Sequence, residues 1–151
     1  MPYFPPLSTE ENLQDVIKSA FDSDIPISGS WGYTQESVTL ITRLDIPINQ
    51  FEHIFASMRA YIEMNMTRVK EERYGSINVN ELSREDVIID GQSFHKLNYE
   101  ITAMKEDIYA SFIKEYKENY GKERFDLTAH FNKRKEATLH REVTHWFKRV
   151  N

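Results

Sequence analysis

The chain contains no cysteine in its 151 residues, so disulfides, thiolate zinc sites and thiol nucleophiles are all excluded. It also lacks any apolar run approaching the ~20 residues that a membrane-spanning helix needs. The opening stretch MPYFPPLSTEE has neither a basic leader nor an apolar stretch behind it, so a signal peptide is not expected and a cytoplasmic location is. With only five glycines there is little material for a phosphate loop or a dinucleotide fingerprint, and neither motif occurs. HExxH is absent. His140 and His145 are spaced to point to opposite faces of a strand, so they do not chelate one metal. Ser28-Gly29-Ser30 does not match the Gly-x-Ser-x-Gly elbow that exposes a serine nucleophile. The adjacent acids Glu71–Glu72, Glu85–Asp86 and Glu106–Asp107 stand in polar surroundings, whereas acid–base catalysis needs a desolvated carboxyl. No catalytic residue, cofactor or metal is expected.

The composition is that of an ordinary folded protein: 40% hydrophobic and 28% charged residues can build one core, so a single domain over residues 1–151 is expected. The net charge of −5 is unevenly spread. Residues 1–42 hold six acids (Glu10, Glu11, Asp15, Asp22, Asp24 and Glu36) against Lys18 alone, whereas residues 114–151 hold ten Lys and Arg against six acids. An acidic first third suits a basic protein partner, and the acidic total disfavours nucleic acid. A membrane partner is not expected either.

Hydrophobic periodicity gives the elements. Ser8 and Glu11 form a capping-box pattern before Leu13, Val16, Ile17, Ala20 and Phe21, which predicts a helix over 9–22. Ser37–Arg43 is short and β-branched and predicts a strand. Asn49, with Glu52 three residues on, reads as a helix N-cap, and the apolar positions Phe51, Ile54, Phe55, Met58, Tyr61, Ile62 and Met66 then follow a helical period. Residues 70–84 read as a loop with a short extended piece at 77–79. Val87–Ile89, Asp90-Gly91 and Ser93–Met104 make a hairpin, because Asp-Gly supplies the positive φ angles of a tight turn. A helix over 106–119 and a shorter one over 127–135 follow. Within 137–150 Leu139, Val143, Trp146, Phe147 and Val150 suit a helix, while the alternation through EVTHWF suits a strand. The strand is preferred because the sheet otherwise lacks a partner. The expectation is an α+β fold: one layer of mostly antiparallel sheet, three to five strands, packed by three to four helices.

Aromatic residues are plentiful, with nine Phe, eight Tyr and two Trp. In PISGSWGYTQESVTLI, Gly29 and Gly32 bracket Ser30 and Trp31, and Tyr33 follows. An indole at such a turn either plugs the core or anchors a partner. On the second reading Asp22, Asp24, Trp31, Tyr33 and Glu36 are the partner-binding residues. This segment, together with EVTHWF near the end, resembles small bacterial proteins with an ISGGWGY-type turn and a C-terminal aromatic pair, some of which look like immunity proteins of polymorphic or contact-dependent toxin systems. The resemblance covers about a fifth of the chain and implies a non-enzymatic inhibitor that binds and neutralises one cognate toxin. Two alternatives stand beside it. One is a small-ligand-binding or catalytic α+β domain using His95, Tyr99 and His145. The other is a structural homodimer, formed through a sheet edge or the methionine-rich face of the second helix.

Overall fold

Asp90 and Gly91 both take left-handed backbone angles, φ 51° and 76°, and so close the tight hairpin that the Asp-Gly pair predicts. The arms of that hairpin dominate the computed structural model, which describes Pro2–Val150. They are β3 (Tyr74–Ile89) and β4 (Gln92–Lys105), preceded by β1 (Ile27–Gly29) and β2 (Thr39–Ile41) and followed by β5 (Leu139–Arg149). These form one five-stranded sheet in the order β1-β2-β5-β4-β3, antiparallel except where β2 runs parallel to β5. Four α-helices complete the fold: α1 (Leu13–Phe21), α2 (Ile48–Tyr61), α3 (Glu106–Asn119) and α4 (Leu127–Ala137). The architecture is the expected α+β single sheet. Among the described residues no helix is long and apolar enough to cross a membrane.

The largest departure from expectation is β3, which extends through most of the polar stretch predicted as a loop. Its ladder with β4 is interrupted twice, between Gly75 and Asn78 and between Glu81 and Ser83. Each bulge shifts the inside–outside alternation by one residue, so no period of two survives in the sequence. As an edge strand it also faces water along much of its length, and its polar residues are no obstacle.

Register decides what each face carries. Leu97, Tyr99, Ile101 and Ala103 of β4 lie opposite His145, Val143, Arg141 and Leu139 of β5 and share one face. The other face pairs Lys96, Asn98, Glu100 and Thr102 with Trp146, Thr144, Glu142 and His140. The first face joins Leu13 and Ile17 of α1 and Phe51, Phe55, Ala56 and Ala60 of α2 in a single apolar cluster. Helix α1 is capped by Asn12, whose carbonyl oxygen on the side chain accepts from the backbone N–H groups of Gln14 and Asp15, not by the Ser8 box. Helix α2 starts at Ile48 behind Pro47 and runs on into a π-helical turn, Ile62–Met66.

Candidate partner-binding site

The glycines of the ISGSWGY segment are required by its path. Gly29 and Gly32 have φ of 80° and 82°, and the backbone N–H of Gly32 donates to Ser37 O at 2.6 Å while its carbonyl accepts from Trp146 N at 2.7 Å. A Cβ on Gly32 would stand 2.3 Å from Cδ2 of His145, so only glycine lets the turn press against β5 here. The turn drives Trp31 inward. Its indole is 3% exposed and stacks on Phe55 with ring centroids 6.1 Å apart. The anchor reading of Trp31 is therefore corrected: the indole closes the end of the core, and no face of it is left for a partner.

Tyr33 is likewise committed inside the molecule. Its hydroxyl donates to Glu63 Oε2 and accepts from the backbone N–H of Leu7 at 3.0 Å. Burial, then the neighbouring Glu63 carboxylate, pushes the phenol well above its usual range, so it stays a donor. Glu63 also accepts from Arg141 Nη1 at 2.9 Å. Arg59 lies over the Tyr33 ring, 4.3 Å from its centroid, and donates to the carbonyls of Trp31 and Thr144 at 3.1 and 2.9 Å. Burial pulls the Arg59 guanidinium below its ordinary value, and Glu63 opposes that pull. One helix thus ties the N-terminal segment, the turn and β5 together through a buried network of charges.

Further along α2, the fully buried Glu52 pairs with Arg84 Nη1 at 3.0 Å and with His95 Nδ1 at 2.7 Å. His95 Nε2 stands 3.4 Å from Asp86 Oδ1. Tyr99 and His145, the other residues of the small-ligand reading, are fully buried. Thr39 Oγ1 donates to Ser30 O at 2.7 Å and so accepts from His145 Nε2 at 3.0 Å, which leaves the imidazole Nδ1 without its proton. The ring stacks on Phe147 at 4.1 Å, and burial followed by the Arg59 charge holds its pKa well below the usual 6.5. It is a neutral core histidine. Among the described residues, no three His, Cys, Asp or Glu side chains are grouped as a metal ion would need.

The acids of the first third all face solvent. Asp22 is the C-cap of α1, in the left-handed region, with a side chain 97% exposed; Asp24 is 73% exposed. Both pair with Lys18, at 3.6 and 3.2 Å. Glu10, Glu11, Asp15 and Glu36 are exposed and have no ion pair among the described residues. Asp22 and Asp24 precede β1, whereas Glu36 lies in the turn between β1 and β2, at the other end of their three-residue ladder. The turn and the aspartates therefore flank one edge of the sheet from opposite ends. A groove of about 420 Å³ opens beside Asp22, lined by Phe21, His53, Ile54, Ser57, Met58, Tyr61 and Ile77. Sequence reasoning missed this groove because Ile54 and Tyr61 follow the same helical period as the true core positions. No protein-family model matches the chain, and neither does any curated protein or solved structure compared with it.

Proposed function

We propose that this chain is a stoichiometric, non-enzymatic protein-binding module of the immunity type, which neutralises a basic toxin domain by covering it. The observation that carries the reading is the exposure of all six acids of the first 36 residues, countered locally only by Lys18. Such a surface attracts and orients a basic protein, and toxins that act on nucleic acid carry basic clefts. Asp22, Asp24 and Glu36 are the contact residues in this reading. Trp31 and Tyr33 support it from inside, by fixing the turn that carries Glu36.

The test is to express the product of each gene flanking this one and titrate it into this chain by calorimetry. Tight binding that weakens steeply with salt is expected, and the triple variant Asp22→Lys, Asp24→Lys, Glu36→Lys should lose at least about tenfold in affinity. All three side chains are exposed, so the melting temperature should stay near that of the parent. Unchanged affinity in the triple variant would reject the reading.

A further inference from the structure

Helix α2 carries its charges on the wrong side for a surface helix. Its charged residues, Glu52 and Arg59, are buried, and Glu63 in the turn that continues it is buried as well. The residues it turns outward, from Asn49 through His53, Ile54, Ser57 and Met58 to Tyr61, include no Lys, Arg, Asp or Glu. A helix that faces only water puts its charges on the outer face. Depletion of charge together with Met and Tyr is the composition of an interface centre.

The groove described above sits on this face. Ile54 and Tyr61 are 37% and 41% exposed, and Phe21, Met58 and Ile77 are half-buried around them. Two of its polar groups are satisfied internally: His53 Nε2 bonds Val79 O at 2.8 Å, and Ser57 Oγ donates to His53 O at 2.8 Å. What remains is an apolar floor. On one side the floor ends at Phe21, and the acids Asp22 and Asp24 follow at once.

That rim selects the occupant. A second copy docked through the same face would bring the same acids, and Lys18, the cation nearest them in the chain, is already paired with both. A basic partner meets the rim with opposite charge. We propose that the groove is the docking site for an amphipathic segment of the partner protein, with apolar side chains seated over Ile54 and Met58 against the packed rings of Phe21 and Tyr61, and Lys or Arg beside Asp22 and Asp24. This rests on the partner-binding reading above and supplies the apolar anchor site that Trp31 does not.

The probe is a synthetic amphipathic helix of Leu and Lys, titrated into the full chain and followed by amide and methyl NMR. Shifts should concentrate at Asp22, Ile54, Met58 and Tyr61. Replacing Leu by Ala or Lys by Glu in the peptide should weaken binding, and so should Ile54→Arg in the protein, each by at least about tenfold. Ile54 is on the surface; if that variant does not fold, Tyr61→Ala serves the same purpose. Shifts centred elsewhere, or equal binding by Ile54→Arg, would overturn the proposal. So would a dimer in light scattering that Ile54→Arg dissociates, since the occupant would then be a second copy. Measured against the toxin-like partner, the two readings part cleanly. Loss of affinity on reversing the acids but not with Ile54→Arg sinks only the groove, whereas no loss on reversing the acids sinks the partner-binding reading itself.

Discussion

The body of the molecule and its helical arm are held together by different means. In the body, α2 and the turn that continues it send Glu52, Phe55, Arg59 and Glu63 into the sheet side of the fold, where each meets residues distant in sequence. In the arm, α3 has no buried residue and α4 has one, His130. That imidazole sits among Phe112, Tyr116, Phe125 and Phe131, with Nδ1 3.1 Å from Glu115 Oε1. Ile108, Tyr120, Leu127 and Phe131 of the same arm remain exposed. The body is thus tied by many interlocked contacts and should unfold as a unit. The arm is held within itself by one small aromatic cluster and to the body chiefly at its start, where Glu106 accepts from Asn65 Nδ2 at 2.6 Å, so it can open by itself.

The comparison breaks most visibly at Glu63. Glu63→Ala removes the acceptor for Tyr33 and Arg141 and leaves Arg59 buried without its nearby carboxylate. Stranding buried charge in this way costs about 3–5 kcal/mol, so a single cooperative urea transition should move to much lower denaturant. A smaller and local effect is expected from His130→Ala, about 1–3 kcal/mol for a buried, hydrogen-bonded ring. Hydrogen exchange should then speed up across α3 and α4, with β4 and β5 unchanged; equal acceleration in the sheet would mean that the arm and body are one cooperative unit. The smallest effect is pH-dependent. The His145 pKa is depressed in the folded state, so below about pH 6.5 the unfolded chain takes up a proton that the folded chain refuses. Its contribution to stability is complete above that value and declines as the pH falls, by up to about 1.4 kcal/mol per pH unit. The loss of stability between pH 7 and pH 5 should therefore be smaller in His145→Gln than in the parent.

Local patterns gave most of the architecture directly. The Asp90-Gly91 turn, the alternation from Leu97 to Ala103, and the helices starting at Glu106 and Leu127 each depend on neighbours a few residues away. The strand at the end of the chain, expected within 137–150, is β5 at Leu139–Arg149. Helix α2 was legible as a helix but not in its orientation. Phe51, Ile54, Phe55, Met58, Tyr61 and Ile62 form an apolar stripe too wide to bury whole. The sheet offers Arg84, His95, Arg141 and backbone carbonyls as partners, and these rotate Glu52, Arg59 and Glu63 inward and Ile54 and Tyr61 outward. For the same reason Glu52, three residues after Asn49, does not serve a cap at the helix start; it is spent in the core.

The sequence by itself determined the fold class, the absence of thiol and phosphate-loop chemistry, and an acidic first third that faces water, because composition, turn chemistry and periodicity act over short range. Only the tertiary structure decided the fate of the ISGSWGY turn. Whether Trp31 faced a partner or the core depended on Gly32 lying against His145 and on Phe55 arriving from α2, contacts made across more than twenty residues. The same long-range packing turned the charged side of α2 inward and opened the groove beside Asp22, since a buried charge is stable only where a partner from another element meets it.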